Sequence, residues 1–446
     1  MSYSAAVDGL FSLAGELHSA PGEPRRKFEL SEMRVLAEAL GNPQLTFPAV
    51  LVAGTNGKGS TAATLTSILR AAGYRTGLYT SPHLARVNER IRIDGRDISD
   101  DTFAACYFQV DNCARQLVAE GRLKGHPSFF ETMTAVAFVA FAELGVEIAV
   151  LEVGMGGRLD ATNIVEPLVS VITDISLDHT EWLGSTITEI AREKAGILRQ
   201  NGVLVTLPQH PEANQAIGET AVALNVRGVN AAEYVPARGD ESSAYSLTVM
   251  GQQIVIESPL TGAHQKRNVA LAIAAAVELC NHHGYNLTPA QAAEGVRATR
   301  WPGRLELFSH AGQHDARLPD VLLDVAHNPA GAWALRSALS RLDPQPQTMT
   351  AVFGCLKEKA VSEMAQVLFP LFDTVILTEV SSPRAASLQE MQAAASPTGT
   401  HVLTADSPKK ALAQALAITP ADGLVTITGS VYLVGELRSE LLGATS

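Results

Sequence analysis

The stretch Ala49-Val50-Leu51-Val52-Ala53-Gly54-Thr55-Asn56-Gly57-Lys58-Gly59-Ser60 decides the fold. Five consecutive apolar residues read as a buried strand, the small residues after them as a loop, and 60–72 as a helix closed by Gly73. A strand, a Gly-rich loop and a helix in this order let the backbone wrap an anion. The helix N-terminus adds free N–H groups and a positive dipole. Lys58 can then reach terminal phosphates, and a hydroxyl can meet Mg²⁺. The spacing departs from the usual phosphate loop: it is shorter before Gly57, and Gly59 stands between Lys58 and Ser60. An incidental Gly-rich turn is the bland alternative, but it does not account for strand, loop, helix and lysine falling in register.

Outward from this stretch, short apolar runs alternate with helical segments. Strands are expected at 76–80, 147–152, 168–173 and 203–207. Helices are expected at 100–120, capped by Ser99 or Asp100, and at 130–144 and 186–197. Such alternation implies βαβ units and a mostly parallel sheet covered on both faces. At 245–257 the period becomes two, with Gly251 at the turn, which reads as an antiparallel hairpin at the sheet's margin. Helices follow at 265–282 and 289–298. After the break Trp301-Pro302-Gly303-Arg304 a second α/β series begins, with strands at 321–325, 350–354, 374–378 and 424–428 and helices at 330–342 and 361–369. The expected fold class is therefore α/β. A P-loop-type, mostly parallel sheet domain occupies 1–299, a linker 300–303, and a smaller Rossmann-like domain 304–446.

Composition narrows the function. The 446 residues are 46% hydrophobic and 18% charged, an ordinary globular balance that excludes a disordered chain. With 34 Lys+Arg against 46 Asp+Glu, the net charge of −12 argues against general nucleic-acid binding, which needs a cationic face. Cys106, Cys113, Cys280 and Cys355 form no Cys-x-x-Cys pair. Cys106 and Cys113 fall two turns apart on one expected helix, about 10 Å, too far for a disulfide. Scattered thiols, no signal-like N-terminus and no run of about 18 apolar residues point to a soluble cytoplasmic protein without membrane contact.

Three further stretches carry chemistry. In Glu152-Val153-Gly154-Met155-Gly156-Gly157-Arg158-Leu159-Asp160 an apolar strand delivers Glu152 at its carboxyl end, where ligands bind in parallel sheets and a carboxylate can hold Mg²⁺. Asp174-Ile175-Ser176-Leu177-Asp178-His179 follows another strand, although a lone histidine is more often structural. In the second series, Asp324 to Pro329 and Gly429-Ser430 place polar residues between strand and helix, where they could equally be caps. On residue chemistry alone, Lys194 reads as a solvated lysine. The residues thus reach an ATP–Mg²⁺ enzyme with a cleft between two α/β domains, and not its substrate.

The set, in order along nearly the whole chain, resembles the folylpolyglutamate synthase/dihydrofolate synthase family, relatives of the Mur peptide ligases. The matching stretches are Gly54 to Ser60, Thr80-Ser81-Pro82-His83-Leu84, Glu152 to Asn163, Leu177-Asp178-His179-Thr180 and Glu193-Lys194-Ala195-Gly196-Ile197. They continue with His264-Gln265 and Asn268, Pro302-Gly303-Arg304, Asp324 to Pro329, and Gly429-Ser430 with Tyr432-Leu433-Val434-Gly435. The resemblance implies a ligase that passes the ATP γ-phosphoryl group to the carboxylate of a reduced folate or dihydropteroate. L-glutamate then attacks the acyl phosphate.

Roles implied by the resemblance follow residue by residue. Gly54, Thr55, Asn56, Gly57, Lys58, Gly59 and Ser60 bind ATP phosphates, and Asn268, Arg304 and Asp324 make further ATP contacts. Ser81, Glu152 and His179 ligate Mg²⁺, with Ser60 near it. His327 and Ser430 face the phosphoryl or glutamate side, and Lys194 matches the position that the family carbamoylates. Leu30, Ser128, Phe129, Phe130, Glu131, Leu159, Asp160 and Ala161 match pteroate-side segments. Lys58, His179, Lys194 and His327 form the implied catalytic set. A monovalent cation is left open, and a monomer is expected.

One departure concerns the pteroate loop of bifunctional bacterial members, Asp-Leu-Gly-Leu. Here it corresponds to Lys27-Phe28-Glu29-Leu30, where only Leu30 survives, which bears on dihydrofolate synthase activity. A Mur-type cell-wall ligase is the nearest rival, but only 53 residues precede Gly54, too few for its usual N-terminal domain. A nucleotide-dependent switch or scaffold would leave Glu152, His179 and Lys194 without work.

Overall fold

The computed structural model describes residues 2–13, 29–237, 244–309 and 318–444. Lys27 and Phe28 lie outside the described residues. The chain divides into two compact units: Met1–Pro82, Val87–Pro259 and Gln265–Arg300 form one; His83–Arg86, Leu260–His264 and Trp301–Ser446 form the other.

The first unit is built on an eight-stranded sheet. Its strands are β1 (Ala49–Ala53), β2 (Thr76–Tyr79), β3 (Ile91–Ile93), β4 (Arg96–Asp97), β5 (Ile148–Glu152), β6 (Pro167–Ile172), β7 (Val203–Thr206) and β8 (Arg227–Asn230), in the order β4-β3-β2-β5-β1-β6-β7-β8. From β2 to β8 every pairing is parallel; β3 and β4 add an antiparallel edge. All five residues of β1 and of β5 are buried, as strands covered on both faces require. The helix Phe129–Glu143 is apolar almost all round and lies in the core beside the helix Asp100–Ala119. Cys106 and Cys113 share that second helix, and all four cysteines are free.

The hairpin forms as its period of two predicts, from β9 (Ala244–Val249) and β10 (Gln252–Glu257), with Gly251 in the turn. It does not extend the large sheet. It stands as a separate two-stranded sheet, with β10 packed on the helix Pro289–Arg297.

The second unit holds a six-stranded sheet of β11 (Glu306–Phe308), β12 (Asp320–Leu323), β13 (Met349–Phe353), β14 (Thr374–Thr378), β15 (His401–Ala405) and β16 (Leu424–Thr428), ordered β11-β12-β16-β13-β14-β15. Only β11 runs antiparallel. Alternate residues feed two cores: Leu322, Ala351, Phe353 and Val375 pack on one face, and Val321, Leu323, Val352 and Ile376 on the other. No described helix is long and apolar enough to cross a membrane.

Candidate active site

In the first unit the chemistry gathers at the carboxyl ends of four neighbouring parallel strands. Ser81 follows β2, Glu152 ends β5, Gly54 follows β1, and Asp174 to His179 follow β6. Strand order, not sequence distance, brings these segments together.

The loop 54–60 is fixed by its neighbour after β6. The amides of Thr55 and Asn56 both donate to the Asp174 carbonyl, at 2.9 and 3.2 Å. Thr173 Oγ1 donates to Asn56 O at 2.7 Å, and Thr55 Oγ1 to Ser176 O at 3.0 Å. The Arg267 guanidinium grips the Asp174 carboxylate through two hydrogen bonds. The helix begins at Lys58, two residues before the expected start, so the lysine lies in its first turn. Lys58 Nζ donates to Thr55 O at 3.1 Å, and Ser60 is buried.

Gly57 caps this helix at φ +86°, where a Cβ would lie 2.2 Å from Asn268 Oδ1. Asn268 is itself held by Gln265, its Nδ2 donating to Oε1 at 2.9 Å. Gly57→Ala is therefore expected to lower stability by about 1–2 kcal/mol from the left-handed backbone alone and to displace Asn268. Thermal unfolding checks it: the midpoint should fall.

Glu152 is buried, and its Oε2 accepts from the Ser81 amide at 3.1 Å. His179 sits in the left-handed region at φ 51° as the cap of the short helix Thr180–Leu183; its side chain is 39% exposed, 4.0 Å from Asp178. Among the described residues no cluster of three or more His, Cys, Asp or Glu could hold a metal. The implied set has only Glu152 and His179 of those types, with hydroxyls beside them. The Glu152 carboxylate and the hydroxyls fit Mg²⁺, which takes oxygen ligands, keeps several waters and draws further oxygens from substrate phosphates; the His179 nitrogen is the donor this hard cation favours least.

Lys194 is not the solvated lysine that residue chemistry alone suggested. It is buried, and its ammonium donates to Gly54 O at 2.7 Å. Burial, then the nearby charge of Lys58, lowers its pKa from the ordinary 10.5 to about 7, against the opposing pull of Asp178 and Asp160. The sequence signal was indistinct because a helix-end lysine looks the same whether it faces water or a loop.

The pteroate-side residues divide. Ser128 and Glu131 are engaged with each other as a capping box: Glu131 Oε2 accepts from Ser128 N and Oγ, both at 2.8 Å. Phe129 lies under the Arg90 guanidinium at 5.2 Å, and Phe130 meets the Tyr79 ring. Asp160 is buried, turning its loop by accepting from Gly154, Met155 and Thr162; burial raises its pKa. Ala161 is buried, Leu159 is exposed, and Leu30 opens the helix Leu30–Ala39.

In the second unit, Asp324 follows β12, and Ser430 follows the adjacent β16. Asp324 is buried and accepts from Leu305 N at 3.0 Å and Ala326 N at 2.9 Å. Burial raises its pKa, opposed by His264 and Arg304. Arg304 donates to Gly303 O at 3.2 Å. His327 lies with Nδ1 2.8 Å from Val325 O, so Nδ1 carries the proton. Ser430 is buried and caps the next helix, its Oγ accepting from Tyr432 N. The residues that sequence reasoning missed are supports: Thr173, Arg267 and Arg199.

Comparison with known proteins places the chain in a family. Residues 52–276 match the Mur ligase middle domain and 303–431 the Mur ligase, glutamate ligase domain. The chain is 36% identical over 446 residues to folylpolyglutamate synthase of Lacticaseibacillus casei, covering 96% of this chain and 98% of the relative. It is 34% identical to dihydrofolate synthase/folylpolyglutamate synthase of Bacillus subtilis (strain 168), covering 92% and 94%. Among solved structures, Mycobacterium tuberculosis folylpolyglutamate synthase complexed with ADP superposes with a TM-score of 0.83 at 31% identity, covering 98% of both chains. E. coli FolC in complex with DHPP and ADP gives 0.83 at 29% identity, covering 99% of this chain and 98% of that one. With both domains matched and relatives at 34–36% identity covered along almost their full length, the chain belongs to the folylpolyglutamate synthase/dihydrofolate synthase family of the Mur ligase superfamily.

Proposed function

We propose that the protein joins L-glutamate to the carboxylate of a reduced folate, and also to dihydropteroate, at the expense of ATP. The observation that carries this reading is the lysine-bearing phosphate loop beside a buried carboxylate, Glu152, on neighbouring strand ends. A carboxylate is inert to an amine until one of its oxygens becomes a leaving group. Transfer of the γ-phosphoryl group makes an acyl phosphate; the glutamate amine attacks its carbonyl carbon, and phosphate leaves with the former carboxylate oxygen.

On this reading residues 1–299 carry the nucleotide and folate, 304–446 the glutamate side, and 300–303 the linker. Gly54 to Ser60 cradle the phosphates, and Lys58 offsets the charge that spreads over the transferring group. Asn268, Arg304 and Asp324 contact ATP, while His327 and Ser430 serve the phosphoryl or glutamate side. Ser60, Ser81, Glu152 and His179 hold Mg²⁺, which when bound neutralises phosphate charge. The enzyme acts as a cytoplasmic monomer.

ADP release with Mg-ATP and L-glutamate, comparing dihydropteroate with tetrahydrofolate and identifying products by mass, tests the reading. Turnover with both makes the enzyme bifunctional despite its altered loop at Lys27 to Leu30. Turnover with tetrahydrofolate alone makes it a dedicated polyglutamylating ligase, and turnover with neither overturns the reading. Glu152→Gln keeps an acceptor for Ser81 but removes the charge. It should raise the half-saturating Mg²⁺ concentration about 10–100-fold, the scale on which even outer partners of a metal matter, and a Mg²⁺ titration of the rate measures it.

A further inference from the structure

We propose that Arg199 is a positioning residue for the phosphate site, acting through the side-chain amide of Asn163; the role rests on the reading of Lys194 and its loop given above. Lys194 stands near the end of the helix Ile187–Ala195, and its reach to Gly54 depends on where that helix end lies. The loop 152–163 holds it. Arg158 N donates to Glu193 O at 2.9 Å. The approach is so close that a Cβ on Gly157 would lie 2.7 Å from Glu193 O and 3.0 Å from Lys194 Cα.

Asn163 closes this seam. Its Nδ2 donates to Arg158 O at 3.1 Å on the loop and to Gly196 O at 3.0 Å on the helix end. The amide must therefore present nitrogen, because the reverse orientation would set Oδ1 against two carbonyls. Arg199 enforces the orientation. A guanidinium only donates, and its Nη2 lies 2.9 Å from Asn163 Oδ1, 3.0 Å from Asn163 O and 2.8 Å from Val165 O. Nη1 donates to Ile197 O at 3.1 Å, and Nε to Glu166 Oε2 at 3.1 Å. One planar cation, 22% exposed, thus spans the segment after the loop and the segment after the helix. A lysine ammonium, with its donors at one point, cannot bridge the same set.

The test compares Arg199→Met, Arg199→Lys, Asn163→Ala and the Arg199→Met/Asn163→Ala double variant with the parent, by steady-state kinetics and thermal unfolding. Arg199→Met should lower kcat about 10–100-fold, the scale of a displaced catalytic group, while KM for the folate changes little. Arg199→Lys should recover only a small part of the loss. The double variant should be no slower than the worse single variant, because both act through one amide. A kcat within about twofold of the parent in Arg199→Met, or losses that multiply in the double variant, would overturn the proposal. If Arg199→Met shows no cooperative unfolding, Arg199→Lys and Asn163→Ala are judged by the same criteria. A parent that turns over no folate overturns the ligase reading alone; ADP affinity by calorimetry then replaces kcat, with about tenfold weakening expected in Arg199→Met and unchanged affinity overturning the clasp.

Discussion

Lys58→Ala should cut glutamate-dependent ADP release by about 10³-fold or more. Removing a preorganised donor from developing transition-state charge costs on the order of 10²–10³, and Lys58 supplies a full cation rather than a neutral N–H. The side chain starts in the first turn of the helix Lys58–Ala71, so its charge adds to the free amides and dipole of that helix end. The fold should survive: Lys58 makes a single loop hydrogen bond to Thr55 O. Single-turnover and steady-state rates, with circular dichroism to confirm folding, measure the effect. Near-normal turnover would remove the phosphate-loop assignment. The substitution should also relieve Lys194, since the Lys58 charge is the second largest cause of its low pKa.

Lys194→Ala should be nearly inactive, by about 10²–10³-fold, and partly restored by formate, acetate or propionate. An amine titrating near 7 is substantially neutral at physiological pH, as reaction with CO₂ requires. Carbamate formation joins the nitrogen to the CO₂ carbon, releases a proton and replaces a cation with an anion. Its occupancy, and with it kcat, should rise as pH climbs through about 7. In the unmodified protein stability has its own dependence. Below about 7 both folded and unfolded chains hold the proton, and the fold bears the full cost of a buried cation. Between about 7 and 10.5 the folded state has released a proton that the unfolded chain keeps, so stability rises with pH; above 10.5 it levels off. Lys194→Ala should flatten that slope in denaturant titrations. Peptide mapping under CO₂-preserving conditions that finds only free lysine would count against the carbamate.

Much of the fold was legible. Apolar runs such as 49–53 and 148–151 are long enough to be strands and too short for helices, and both lie in buried strands. What was not legible was lateral placement. Nothing in 245–257 shows whether a hairpin joins a neighbouring sheet, because that depends on what it packs against, here the distant helix Pro289–Arg297. At the site, glycines and a lysine next to a strand announce themselves, but polar residues that serve the backbone do not. Ser128 and Glu131 match pteroate-side segments by resemblance, and nothing in their spacing from a strand announced that they also form a capping box. Nothing in the sequence marks Arg199 out from any cation after a helix, because its acceptors come from residues more than thirty positions away as well as from its own segment.

The assignment of residues 83–86 and 260–264 to the second unit has a practical meaning. No single genetic split yields two whole halves. A polypeptide beginning at Trp301 would lack the Leu84 carbonyl, on which the bare backbone of Gly435 rests so closely that a Cβ there would fall 1.9 Å from it. It would also lack His264, whose charge opposes the raised pKa of Asp324. The second unit is thus a composite of three chain passages, and its inheritance or transplantation by end-to-end fusion would carry an incomplete structure.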